Sequence, residues 1–179
     1  MSAGALASKT LTRSVLVMTD SSSSFTEHLQ PPKADLPAEH RQFDFWIGTW
    51  EVHGTDGGIV GHSRIEPVSD GCGLSERWEG TRGSRGVSYN AWDPGSRQWR
   101  QFWVGNTSGD VLCLKGGMVD GSMVLQGVRI GAASGTPQLQ RISWTPNADG
   151  SVRQHWQASD DDGASWTTVF DGLYRRKPD

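Results

Sequence analysis

The sequence predicts an all-β protein, an antiparallel up-and-down barrel of about ten strands with a short N-terminal plug helix. Three observations carry this. Asp-Gly pairs recur at 56–57, 70–71, 120–121, 149–150, 162–163 and 171–172, and Asp93-Pro94-Gly95 adds a further turn; six of these seven signals are placed to connect neighbouring hairpin strands. Between them lie short stretches of alternating apolar and polar residues, and past residue 48 no segment carries a helical period. With no crossover helix available, sequential strands pair with their neighbours, and closure removes the two exposed edges.

The elements follow in order. Residues 1–36 contain the run Ser21 to Ser24 and the prolines Pro31 and Pro32, with little apolar periodicity, and read as a disordered tail ahead of a barrel domain over 37–179. Pro37 suits the first turn of a helix, and Phe43, Trp46 and Ile47 fall at i, i+3 and i+4 on one face. Gly48 stops that helix. In the following TWEVHG, Trp50 and Val52 share a face, so a strand begins with Trp50 inward and the short helix covers one end of the barrel. The ten strands are expected near 49–54, 60–68, 72–80, 85–92, 97–105, 110–117, 122–129, 138–146, 152–159 and 166–175. A barrel of eight strands is filled by side chains or holds one small ligand, so ten imply a cavity.

Alternation then proposes its lining. Trp99, Gln101 and Trp103 share one face of the fifth strand, a row suited either to a ligand wall or to plain core. Leu74, Glu76 and Trp78 share a face of the third. If that face is interior, Glu76 is a desolvated carboxyl fit for acid/base work; the alternative is a cross-strand ion pair. The ninth strand is ambiguous: Arg153, His155 and Gln157 lie on one face, Val152, Gln154, Trp156 and Ala158 on the other. Apolar content turns the second inward and leaves His155 in solvent. The reverse arrangement would bring His155, Arg141 and Glu76 together as a catalytic set. Asn90, Trp92, Ser143 and Gln157 complete the candidate ligand contacts, with Trp78, Trp99, Gln101 and Trp103.

Composition narrows the function classes. With 17 basic and 20 acidic residues the net charge is -3, which lacks the basic footprint of a nucleic-acid binder. The longest apolar run near the start, Val15 to Met18, is far short of a membrane span. Cys72 and Cys113 show no C-x-x-C spacing and read as free thiols of a cytoplasmic protein, with a single bridge between them as the alternative. No H-E-x-x-H, G-x-S-x-G or phosphate-cradling loop is present, so no metal or cofactor is expected, and a small hydrophobic or amphipathic molecule is the expected partner. A homodimer is compatible with all of this.

The FDFWIGTWEV opening, the DGCGLSERW stretch, the YNAWDPGSRQWRQFWV hairpin and the WTPNADGSVRQHWQASDDDGASWTTVFDG close together resemble a bacterial family of calycin-like proteins, over roughly residues 40–176. The resemblance implies a lipocalin-like or nitrobindin-like barrel, in which Gly48-x-Trp50 is similar to the G-x-W signature that closes one end of calycin barrels. It implies chiefly a small-molecule carrier. Haem binding through His155, or isomerase and cyclase chemistry using Glu76, are the alternatives it brings.

Overall fold

The computed structural model describes Met1 and residues 35–106, 111–131 and 134–177. The tail expected over 1–36 lies almost wholly outside the described residues. Ten antiparallel strands follow one another around a closed barrel: β1 (Gly48–His53), β2 (Ile59–Val68), β3 (Gly73–Gly80), β4 (Arg85–Asp93), β5 (Gln98–Gly105), β6 (Val111–Val119), β7 (Ser122–Ile130), β8 (Pro137–Pro146), β9 (Val152–Ser159) and β10 (Thr167–Arg176). Each pairs with its sequence neighbour, and β1 closes on β10 through Trp50 opposite Arg176 and Val52 opposite Tyr174. The meander and its closure are those expected from turn spacing. At Asp120-Gly121, φ is 48° and 80°; two consecutive left-handed residues match the right-handed twist of β6 and β7 and make the tight reversal. Asp171-Gly172 is the exception among the Asp-Gly pairs, since it lies inside β10.

The plug is tighter than the sequence suggests. Instead of one helix, two single 3-10 turns, Ala38–Arg41 and Asp44–Trp46, precede β1. A continuing α-helix would need the backbone N–H of Trp50 for the Trp46 carbonyl, but β1 begins at Gly48 and engages that backbone. The Trp50 indole N–H takes its place, donating to Trp46 O at 2.9 Å. Arg176 lies over the Trp50 ring at 4.5 Å from its centroid, and its guanidinium occupies the space where a Cβ on Gly48 would project.

Phe43 and Trp46 are fully buried and fill this end of the barrel. Phe43 stacks on Trp46 at 5.0 Å and meets Trp144 and Trp99 edge-on at 5.2 and 5.6 Å. Trp46 also meets Tyr174 at 6.2 Å. These partners sit at the ends of β5, β8 and β10 nearest the plug, together with Met123 and Val152, and form a continuous apolar floor.

Candidate functional site

Away from the plug the interior changes character. Toward the opposite end, the inward faces of β3, β5, β9 and β10 present Trp78, Trp103, Trp156 and Phe170, all packed on the core yet only partly buried. Trp78, Trp103 and Phe170 lie toward the end of the barrel opposite the plug, and Trp156 lies midway along β9. Trp78 meets Phe170 edge to face at 5.7 Å.

Glycines on the same inward surface give three of these rings their room. A Cβ at Gly61 would come within 2.4 Å of the Trp78 ring, one at Gly86 within 2.2 Å of Trp103, and one at Gly172 within 2.5 Å of Phe170. Strand-interior glycine is unfavourable in itself, and here it marks close passage of an aromatic ring. The fourth ring is held differently: Trp156 Nε1 donates to Gln140 Oε1 at 2.7 Å.

Between this aromatic mouth and the apolar floor lies a buried polar layer. Glu76 is 5% exposed, and both its oxygens accept from serine hydroxyls, Oε1 from Ser63 at 3.0 Å and Oε2 from Ser88 at 3.1 Å. Ser88 Oγ accepts from Asn90 Nδ2 at 2.9 Å, and Asn90 Oδ1 accepts from Gln101 Nε2 at 2.8 Å. The chain Gln101, Asn90, Ser88, Glu76 thus runs donor to acceptor toward the carboxyl. β3 supplies Glu76, β4 both Ser88 and Asn90, and β5 Gln101, because register puts Glu76 opposite Ser88 and Asn90 opposite Gln101; Ser63 joins from β2.

No cation lies within ion-pair distance of Glu76 among the described residues. Burial therefore dominates: it pushes the carboxyl up to about 7, against the pull of the two serine hydroxyls that favour the charged form. Burial also raises the Tyr174 phenol, with Glu76 as a smaller like-charge contribution; that phenol donates to Gln154 Oε1. On the facing wall a second polar string links Arg129, which donates to Gln138 Oε1 at 3.2 Å, with Gln140, which donates to the same oxygen at 2.7 Å.

The structure divides the sequence candidates into three groups. Trp78 and Trp103 face the interior toward the end opposite the plug, and Glu76, Asn90 and Gln101 face it in the buried layer between them and the floor. Trp92 and Trp99 also face inward, directly opposite one another, but at the plugged end. Trp99 is fully buried against Phe43, with its Nε1 donating to Gln42 Oε1 at 3.1 Å, so it serves the floor and not a ligand wall.

Arg141, Ser143, His155 and Gln157 are on the outer wall. The inward residues of β8 are Gln140, Ile142 and Trp144, which turns Arg141 and Ser143 outward. Arg141 lies 4.0 Å from the centroid of Trp166 and donates to Gln157 Oε1 at 2.9 Å. His155 stands opposite Ser143 in register and its Nε2 bonds Thr168 Oγ1 at 3.0 Å. The catalytic grouping of His155 and Arg141 with Glu76 is thereby corrected, and the haem alternative loses its axial ligand. Apolar Val152, Trp156 and Ala158 claim the inward face of β9, leaving the charged row to solvent.

Sequence reasoning missed Ser63, Ser88, Gln140, Trp156 and Phe170. Small polar residues on an alternating strand look alike on either face, but Gly61, Gly86 and Gly172, set inside strands, were a local sign of rings passing close by.

A closed ten-stranded barrel, plugged at one end and carrying a polar layer under an aromatic mouth at the other, defines the class to which the fold and site belong. No protein-family model matches the chain, and a search of curated proteins finds no significant relative.

Proposed function

We propose that the protein is a calycin-like small-molecule-binding barrel that takes one amphipathic or aromatic ligand through its open end. The observation that carries this is the pairing of half-buried Trp78, Trp103, Trp156 and Phe170 with the buried, hydrogen-bonded Glu76 beneath them. Apolar surface left accessible beside a few convergent polar groups is the usual composition of a ligand site. Removing apolar area from water supplies affinity at about 25 cal/mol per Å², while Glu76, Asn90 and Gln101 fix orientation. Two exposed free thiols, Cys72 and Cys113, suit a reducing compartment, and we place the protein in the cytoplasm on that basis; no helix among the described residues is long and apolar enough to cross a membrane.

The test is native mass spectrometry of the protein purified from its own host, followed by tryptophan fluorescence with whatever is recovered. A small molecule that leaves on unfolding and alters the emission of wild type but not of Trp103→Ala supports the reading. Absence of any bound mass, together with unchanged emission across a panel of amphipathic molecules, would count against it.

A second reading is favoured by one observation, a carboxyl raised to about 7 inside a barrel. Such a group is poised as an acid/base for an isomerisation or cyclisation near neutral pH. Glu76→Gln separates the two: an enzyme loses turnover by about 10²-fold or more while retaining its ligand, whereas a carrier has no turnover to lose.

A further inference from the structure

The polar layer has a direction, and the direction points to the charge of the ligand. The Gln101 amide donates to Asn90, the Asn90 amide to Ser88, and the Ser88 hydroxyl to Glu76 Oε2. With Asn90 Nδ2 already bonded to Ser88 Oγ, the serine proton is left for the carboxyl. A second hydroxyl, from Ser63, reaches Oε1. An ionised carboxylate only accepts, with about four lone-pair sites on its two oxygens; Ser63 and Ser88 fill two of those sites, both as donors. A neutral acid keeps the same neighbours by turning one serine hydroxyl around, so the two serines favour the anion without excluding the acid.

Among the described residues no charge of opposite sign lies within ion-pair distance of that anion. Beside Glu76, β2 contributes Ser63 and Ile65 and β4 contributes Ser88 and Asn90. From β10 comes the Tyr174 phenol, itself bonded to Gln154. Arg129, on β7, engages Gln138 on the facing wall. A buried carboxylate without a cation is costly. Above it stand aromatic faces, the surface that attracts cations by the ring quadrupole, indole most strongly.

Resting on the binding reading above, we propose that the ligand is an amphipathic amine, whose ammonium meets Glu76 while its apolar body lies among Trp78, Trp103 and Phe170. The missing countercharge then comes from outside, and Glu76 is the residue that determines ligand class. Binding at neutral pH displaces the proton that Glu76 holds for part of the time in the free protein, so it is accompanied by proton release.

The experiment uses the full chain and three probes of one shape: 2-naphthylmethylammonium, 2-naphthalenemethanol and 2-naphthoate. Calorimetric titrations at pH 6.5 in phosphate and in Tris, buffers of different ionisation enthalpy, report affinity and proton release together. The expected result is that the ammonium binds at least about 10-fold more tightly than the alcohol, the carboxylate is weakest, and heat differs between the buffers by a substantial fraction of one proton. Ammonium affinity falls about tenfold per pH unit well below 7 and levels off above it. In Glu76→Gln the preference and the proton release both disappear. Equal binding of ammonium and alcohol, or binding without proton release, overturns the inference and leaves the barrel reading intact. Both wild-type measurements stand even if the variant fails to fold. A co-purified molecule without a basic nitrogen also overturns it. If none of the three probes binds and no bound mass is recovered from the host, the binding reading falls and this inference with it.

Discussion

Ser88 Oγ lies 3.1 Å from Glu76 Oε2, across a pair of strands whose register sets the two residues directly opposite. A hydroxyl that both accepts from Asn90 and donates to a buried carboxyl couples the electrostatics of the interior to its packing, and most of the measurable consequences follow from that coupling.

Stability should fall as pH rises from about 4.5 to about 7. Glu76 has its folded pKa raised from 4.5 to about 7, so between those values the folded state holds a proton that the unfolded state has lost. The contribution is fully present below 4.5, is lost as pH rises through 7, and amounts to roughly 3 kcal/mol. Urea denaturation in this window should show the decline, and Glu76→Gln should flatten it. An unchanged slope in the variant would assign the titration to other groups.

Ser88→Ala should destabilise by about 1–3 kcal/mol, since it removes a donor to Glu76 and an acceptor for Asn90. The loss should be larger at pH 8, where the carboxylate is ionised, than at pH 5. In the Glu76→Gln background the pH difference should vanish, which a double-mutant cycle at both pH values reads directly.

Trp46→Ala and Trp103→Ala should separate folding from binding. Trp46 is fully buried in the plug, and its truncation should cost about 3–5 kcal/mol of stability. Trp103, only partly buried, should cost less while reducing the ligand-linked fluorescence change more. Equal losses of binding and folding for Trp103 would make it a core residue.

Gly86→Ala should alter the mouth more than the floor. The new methyl group would meet the Trp103 ring at 2.2 Å and the Val104 carbonyl at 2.9 Å, so the indole must swing away. The Trp103 contribution to near-ultraviolet circular dichroism, identified by its absence in Trp103→Phe, should shift while the rest of the spectrum is retained.

Arg141→Ala and His155→Ala should leave ligand affinity within a few-fold of wild type, because both side chains are on the outer wall. Removing the Arg141 contact over Trp166 should cost about 0.5–1 kcal/mol of stability at most.

Much of the fold was legible because its signals are local. All ten expected strands fall within two residues of the observed ones, since turn chemistry at Asp-Gly pairs and the two-residue period are properties of neighbours in the chain. Alternation also assigned Glu76 and Trp78 to one face, and Trp99 and Trp103 to another. What alternation leaves out is height along the barrel axis. Trp99 and Trp103 lie on one face of one strand, yet one is sealed beneath Phe43 and the other is only partly buried toward the opposite end. Height depends on the stagger of the strands and on where the plug folds back. The partners of Glu76 were hidden for the same reason: Ser63 and Ser88 meet it only through the registers of β2 and β4 with β3.

β1 begins and β10 ends on the plugged side, where the Lys177 N–H donates to Thr49 O at 3.0 Å. A tether or fluorescent reporter joined just after Lys177 would therefore leave from the side remote from Trp78, Trp103 and Phe170. Immobilised that way on a chip, every copy would turn its aromatic rim toward the analyte, an orientation that adsorption through the outer wall would randomise.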